Sequence, residues 1–253
     1  MSGELLMAIT IIGLVILAAG LQRLTGMGFA MMMAPFLVVM IGPHGGVMLT
    51  NVLSLVAPIL MLPMVWRDIQ WRRLAIIVPV SLAVMPLFGW MAAASPQGPL
   101  YIAVASLVLL GLSISLIISR ISAAVDGPWT RVLTGVGTGG GTVLAGVGGP
   151  AMTVYAVVSR WEVRGFAATL QPLWLVMSAG GFLTKLIFSG NEVPSFPLWF
   201  WAGCALAILV GLWGGTVVRR WVSDTAARRI VIALAFAGAL ISLAMGIRSA
   251  AGL

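Results

Sequence analysis

Charge is what this chain has least of. Asp, Glu, Lys and Arg make up 8% of its 253 residues, against roughly a quarter in a soluble domain. A chain so poor in charge cannot clothe a surface that faces water, and none of its segments is polar enough to form a separate soluble catalytic domain. There is one cysteine, Cys204, set inside an apolar run. It has no partner for an intrachain disulfide and no second ligand for a metal, so it reads as packing. The one histidine, His44, lies in the turn Gly42-Pro43-His44-Gly45 and reads as an exposed, inert loop residue. No Asp or Glu stands deep within any apolar run, which excludes an embedded carboxylate relay. Paired acids, metal ligands and an activated nucleophile are missing too. The chain is therefore read as neither an enzyme nor a cofactor protein.

Hydrophobic residues, by contrast, make up 61% of the chain, and their runs recur from end to end. A leader peptide would instead be followed by a polar mature protein. Crossing the hydrocarbon core takes about 20 apolar residues. Six runs meet that length with clear edges: 46–65, 74–94, 99–119, 165–189, 197–218 and 227–247. Two further regions, 5–42 and 131–159, are apolar but interrupted by glycine. The first breaks at Thr25-Gly26-Met27-Gly28. The second breaks across Gly137-Thr138-Gly139-Gly140-Gly141 and again at Gly146-Val147-Gly148-Gly149-Pro150.

The net charge of +8 does not point to nucleic acid, because the basic residues sit in short gaps between the runs. The positive-inside rule makes the gaps holding Arg67, Arg72 and Arg73, then Arg120 and Arg131, then Arg219, Arg220, Arg228 and Arg229 cytoplasmic. The uncharged gap 95–99 and the gap 190–194, which holds only Glu192, are then external. Region 131–159 has Arg131 at one edge and Arg160 and Arg164 at the other, so it enters and leaves on the same side. Its arms, counted to the glycines, are too short for two crossings. A re-entrant pair of half-helices is expected there, with a counterpart from outside over 5–42. Both termini are then external.

A shift of 120 residues aligns Leu24-Thr25-Gly26-Met27-Gly28 with Leu144-Ala145-Gly146-Val147-Gly148. It also pairs Gly20 with Gly140, Gly45 with Gly165 and Asn51 with Gln171. The expected fold is an all-α polytopic membrane protein with an inverted repeat, 1–122 and 123–253. Each half holds a re-entrant or broken helix pair plus three transmembrane helices. Transporters of that plan bind their solute at the repeat interface near the midplane.

Unwound backbone at that depth survives only where it lines a cavity or is buried in protein, and half-helix N-termini suit an anion. The candidate solute ligands are Arg23, Thr25, Gly26, Gly28, Asn51, Gly146, Gly148, Gly149 and Gln171. Arg23, at the first break, is the expected source of positive charge, because a guanidinium at membrane depth is costly unless used. Asn51 and Gln171 either bind solute or glue helices together. Lys185, just inside a span end, reads as snorkelling, and Gly211 with Gly215 as a close-packing pair. Met31, Met32 and Met33 read as packing. Trp66, Trp71, Trp129, Trp161 and Trp221 fall near span ends as an interfacial belt, whereas Trp174 lies well inside its span and either walls a cavity or packs. The string Gly135-x-Gly137-x-x-Gly140 matches a dinucleotide fingerprint but lacks the preceding strand.

The Thr25-Gly26-Met27-Gly28-Phe29 motif after a first apolar arm, Pro35, Asn51, and the second glycine-rich motif at Gly137–Pro150 resemble the sulfite exporter TauE/SafE (TSUP) family of membrane transporters. One departure is that Pro150 directly follows the glycines. The resemblance implies export of sulfite, a sulfonate or a related organic acid through the inner membrane. Alternating access is the leading mechanism, with a proton as candidate coupling ion and a homodimer as candidate assembly. A passive anion channel of the same fold is the alternative.

Overall fold

The computed structural model describes residues 3–25, 29–117, 124–188 and 194–251. All regular structure among them is helical: α1 (Gly3–Thr25), α2 (Phe29–Ile41), α3 (Pro43–Leu53), α4 (Val56–Val65) with a 3₁₀ turn Trp66–Asp68, α5 (Trp71–Ala93), α6 (Gln97–Ile117), α7 (Pro128–Ala145), α8 (Gly149–Val158), α9 (Val163–Phe188), α10 (Leu198–Val218) and α11 (Asp224–Ala250). Among the described residues, six stretches are long and apolar enough to cross a membrane: Gly3–Thr25, Pro43–Asp68, Trp71–Ala93, Val163–Phe188, Leu198–Val218 and Arg229–Ser249. The chain is a multi-pass helical membrane protein.

Two expectations about the glycine-rich regions need correction. First, α1 is no half-helix: its 23 residues extend about 34 Å at 1.5 Å per residue, enough to cross alone. Only its return arm, the 13-residue α2, is short. Second, Gly137–Gly141 do not break the chain but lie within the 18-residue α7. These glycines serve close approach. A Cβ on Gly139 would collide with the Ser81 carbonyl on α5, and the Ser81 hydroxyl donates across the same seam to the Gly135 carbonyl at 2.8 Å. The real break is Gly146, with φ 69°, a conformation in which a side chain is strained. Pro150 then opens α8 in its first turn, where its missing N–H costs nothing.

The element boundaries carry the 120-residue spacing. The ends of α1 and α7, the starts of α2 and α8, and the starts of α3 and α9 are each separated by 120 residues. The long helices pack in exchange: α1 lies along α10, α7 along α5, and α6 against α11. Along the first seam the pairings rise together, Gly203 near Ile12, Gly211 near Ile16 and Gly20, and Gly215 near Gly20 and Arg23, so α1 and α10 run parallel. Gly211 and Gly215 are close-packing positions, as expected.

One face of the molecule gathers the start of α5, the 124–127 segment before α7 and the end of α8. Asp126 Oδ1 accepts from Arg131 Nε at 3.0 Å and from the Tyr155 hydroxyl at 2.7 Å, and its Oδ2 lies 3.2 Å from Arg73 Nη2. Arg164 pairs with Asp68 nearby, and the Glu162 carboxylate caps α9 through the N–H groups of Arg164 and Gly165. The gaps around Arg73, Arg131 and Arg164 thus share a face, as the charge pattern requires. The Trp161 ring is buried and carries the Arg73 guanidinium 4.3 Å above its centroid; it therefore does not belong to the exposed belt that Trp66, Trp71, Trp129 and Trp221 form.

Gly139→Val should lower the unfolding midpoint of the protein in detergent, with overpacking costing about 1–3 kcal/mol. The same change at Gly214, whose Cβ would meet nothing within 4 Å, should leave the midpoint near wild type. A second expectation concerns acid. Burial alone would raise the Asp126 carboxyl, but hydrogen bonds from Arg131 and Tyr155 and the charge of Arg73 hold it below the usual carboxylate range. Its folded value is thus depressed. Its stabilisation is complete above the ordinary value of about 4 and fades as pH falls through the lower folded value. Melting midpoints should show an acid-limb loss below about pH 4 that Asp126→Asn removes.

Candidate solute cavity

Four elements end or bend around one small cavity. Phe29, Ala30 and Met31 bring the N-terminal turn of α2, and Gly146, Gly148 and Gly149 bring the turn into α8. Asn51 and Ser54 come from the interruption between α3 and α4, and Trp174, Met177 and Ser178 from the middle of α9. Thr142 of α7 and Gln22 of α1 complete the wall. The enclosed space is about 40 Å³, room for roughly three water molecules at ~10–15 Å³ each. It suits a small inorganic ion or a compact organic one.

Among the described residues, no charged side chain lines it. What it offers is oriented polarity. The α8 N-terminus is capped by no side chain and carries the positive end of the helix dipole. The Asn51 amide donates to the Thr142 carbonyl at 3.5 Å, a weak bond that leaves the group able to serve another partner. Among the described residues, Ser54 Oγ and Gln22 Oε1 are buried without a hydrogen-bond partner. Each such atom costs about 1–3 kcal/mol unless something else meets it. Two orphaned polar groups in one cavity therefore point to an occupant that completes them. The Gln22 amide can turn its N–H₂ or its carbonyl inward. A wider groove of about 310 Å³ beside Met48, Leu49, Val52, Phe182, Pro194 and Trp201 is lined almost wholly by apolar atoms and offers an anion nothing.

Of the ligands expected from sequence, Asn51, Gly146, Gly148 and Gly149 meet at this cavity. Gly26 and Gly28 fall outside the described residues. Thr25, Arg23 and Gln171 do not line it. Thr25 donates back to the Leu21 carbonyl. Gln171 donates within its own helix to the Ala167 carbonyl one turn earlier at 3.1 Å, and its Oε1 is buried with no hydrogen-bond partner among the described residues. Arg23 donates from Nε to Thr216 Oγ1 on α10 at 2.9 Å. The reason is rotational: successive helix residues point about 100° apart. Gln22 takes the cavity side, and Arg23 the seam opposite Gly215. Gln22 was the residue to find, one position before the arginine that drew attention. Thr142 and Ser54 gave no signal, since hydroxyls in apolar runs are common. Trp174 walls the cavity, as does Met31; Met32 and Met33 are fully buried packing.

His44 and Lys185 also differ from expectation. His44 is 9% exposed and Lys185 1%, with Lys185 Nζ 3.3 Å from His44 Nδ1. The turn at 42–45 is not out in water, because Gly46 sits directly on the Leu37–Val38 backbone and seats α3 against α2. Lys185 faces the same interior instead of snorkelling.

Interrupted helices around a compact cavity with oriented donors suit a membrane carrier of small solutes. The family model for the sulfite exporter TauE/SafE matches residues 11–242, nearly the full chain, and the protein belongs to that family. Its members are transporters. No curated protein and no solved structure matches.

If the cavity takes the anion, Asn51→Leu should weaken sulfite binding, as lost neutral hydrogen bonds of about 0.5–1.5 kcal/mol imply two- to tenfold. Arg23→Gln should leave the affinity within about twofold, since a lost charge-assisted bond would cost tenfold or more. Calorimetry on the purified variants reads both, and a tenfold loss in Arg23→Gln would move the site to the α1–α10 seam.

Proposed function

We propose that the protein is a secondary transporter that exports a small anion, sulfite or a compact sulfonate, across the inner membrane by alternating access. The observation that carries this reading is the convergence of two breaks, 120 residues apart, on one cavity whose orphaned polar groups are neutral. An inverted repeat accounts for that convergence. It also accounts for the exchanged packing of α1 on α10 and α7 on α5. Two pseudo-equivalent halves can then rock about the cavity and expose it to either side. The Arg73–Asp126–Arg131 face is cytoplasmic on this reading, and both termini are external. The proposed solute ligands are Gln22, Asn51, Ser54 and the first turns of α2 and α8, and Gly26 and Gly28 stay candidates from the sequence motif.

A passive channel of the same fold remains the second reading, favoured by one observation: among the described residues no carboxylate is buried, so no acidic proton carrier is evident. Sealed proteoliposomes separate the two. Vesicles loaded with unlabelled sulfite should take up labelled sulfite transiently against its gradient, because the outward-moving unlabelled solute brings the site back to the outer face, where label replaces it. A channel can only dissipate the gradient. Uptake that never exceeds equilibrium under counterflow or an imposed pH gradient would favour the channel.

A further inference from the structure

The ion cluster around Asp126 is built like an anion site that the protein fills with its own carboxylate. Four N–H or O–H groups converge on that carboxylate: Arg131 Nε and Nη2, each at 3.0 Å from Oδ1, the Tyr155 hydroxyl at 2.7 Å, and Arg73 Nη2 at 3.2 Å from Oδ2. Three charged groups meet there, two positive and one negative, so the cluster keeps a surplus positive charge. Arg73 Nη1 gives its two N–H groups to neutral oxygens, the Tyr155 hydroxyl at 3.0 Å and Ser159 Oγ at 3.2 Å, and not to the carboxylate. The donors are held firmly, with Tyr155 1% exposed and Arg73 stacked on buried Trp161. The carboxylate is the most exposed member. It projects from the helix-free segment 124–127, and its side chain is 27% exposed, against 17% for Arg73 and 22% for Arg131.

We infer that this cradle is a second oxyanion site, at the Arg-rich face, in which a small solute oxyanion takes the place of the Asp126 carboxylate on Arg73, Arg131 and Tyr155. Guanidinium forks match the paired oxygens of sulfite or sulfonate as they match a carboxylate. Displacement would also be felt at the central cavity. Tyr155 lies on the ten-residue α8 whose other end, Gly149, lines that cavity. The displaced segment is tied to the same helix by the Val125 N–H to Val158 carbonyl bond at 2.9 Å. Asp126 thus acts as an internal competitor. It keeps the two arginines satisfied between solute arrivals and lowers the cradle's affinity enough for the solute to leave. The identity of the anion rests on the exporter reading; the existence of the cradle does not.

The test uses the full-length protein in detergent, with formate and sulfite as probes. Asp126→Ala removes the internal carboxylate and should lose stability, and both anions should restore its melting midpoint saturably. Asp126→Ala/Arg73→Gln should respond to neither, or require at least about tenfold more anion, as loss of a charged donor implies. Asp126→Asn keeps the shape of the side chain and serves if the alanine variant does not fold. By calorimetry its second sulfite equivalent should bind at least about tenfold more tightly than in wild type, and that gain should vanish when Arg73→Gln is added. An Asp126 variant that responds to neither anion, or responds equally with and without Arg73, overturns the cradle. Response to formate but not sulfite overturns its assignment to the solute. Intact cradle binding alongside no counterflow in vesicles would instead overturn the exporter reading, so the two failures are distinct.

Discussion

A helix that stops inside hydrocarbon leaves up to four N–H groups or four carbonyls without partners, and lipid can supply none. Everything in this molecule that could handle an anion follows from how that constraint is met. The first turn of α2 and the turn into α8 must be buried behind other helices, and the screen must stand close enough to exclude lipid. Glycine makes that possible along two seams. The Ser81 carbonyl occupies the place of a Gly139 side chain, and the Gly20 carbonyl lies 2.6 Å from where a Gly215 Cβ would be. Bulk at either position would push the long helices apart and open the break to lipid. The seams are therefore upstream of the site, even though neither touches it.

The chain also uses different glycines for two opposite ends. Gly139 lets a helix continue while another approaches; Gly146 lets a helix end by adopting a left-handed turn. That distinction explains what could be read without a structure and what could not. The span edges, the 120-residue spacing, the shared face of the arginine gaps and the family itself are written in composition and order. Which glycine in Gly137–Gly149 breaks the chain depends on whether a neighbouring backbone lies against it, and α5 is some fifty residues away in sequence. The burial of His44 with Lys185 was hidden for the same reason: their contact joins α3 to α9. Gln22 was hidden by phase. An apolar helix with a weak amphipathic pattern does not announce which side faces inward, so Arg23 drew the attention that its neighbour deserved on geometry.

The placing of charge has a physical logic of its own. Arg23, the arginine expected near the solute, is instead on the α10 seam, Arg73 and Arg131 meet in the Asp126 cluster, and among the described residues the cavity wall holds only neutral groups. A guanidinium enclosed in a cavity of about 40 Å³ would meet an anion in a medium of low effective dielectric, where one full charge pair is worth several kcal/mol even at an effective dielectric constant of about 20. A solute held that firmly would not leave. A helix N-terminus presents roughly half an elementary charge, spread over N–H groups that also define direction. Two such termini, with Asn51 and Ser54, would favour an anion over a neutral molecule while keeping the well shallow. Transport through a binding site needs that compromise, since the solute must enter and also escape. Full charges serve better at the faces. There water screens them, and a competing carboxylate such as Asp126 can further moderate their pull.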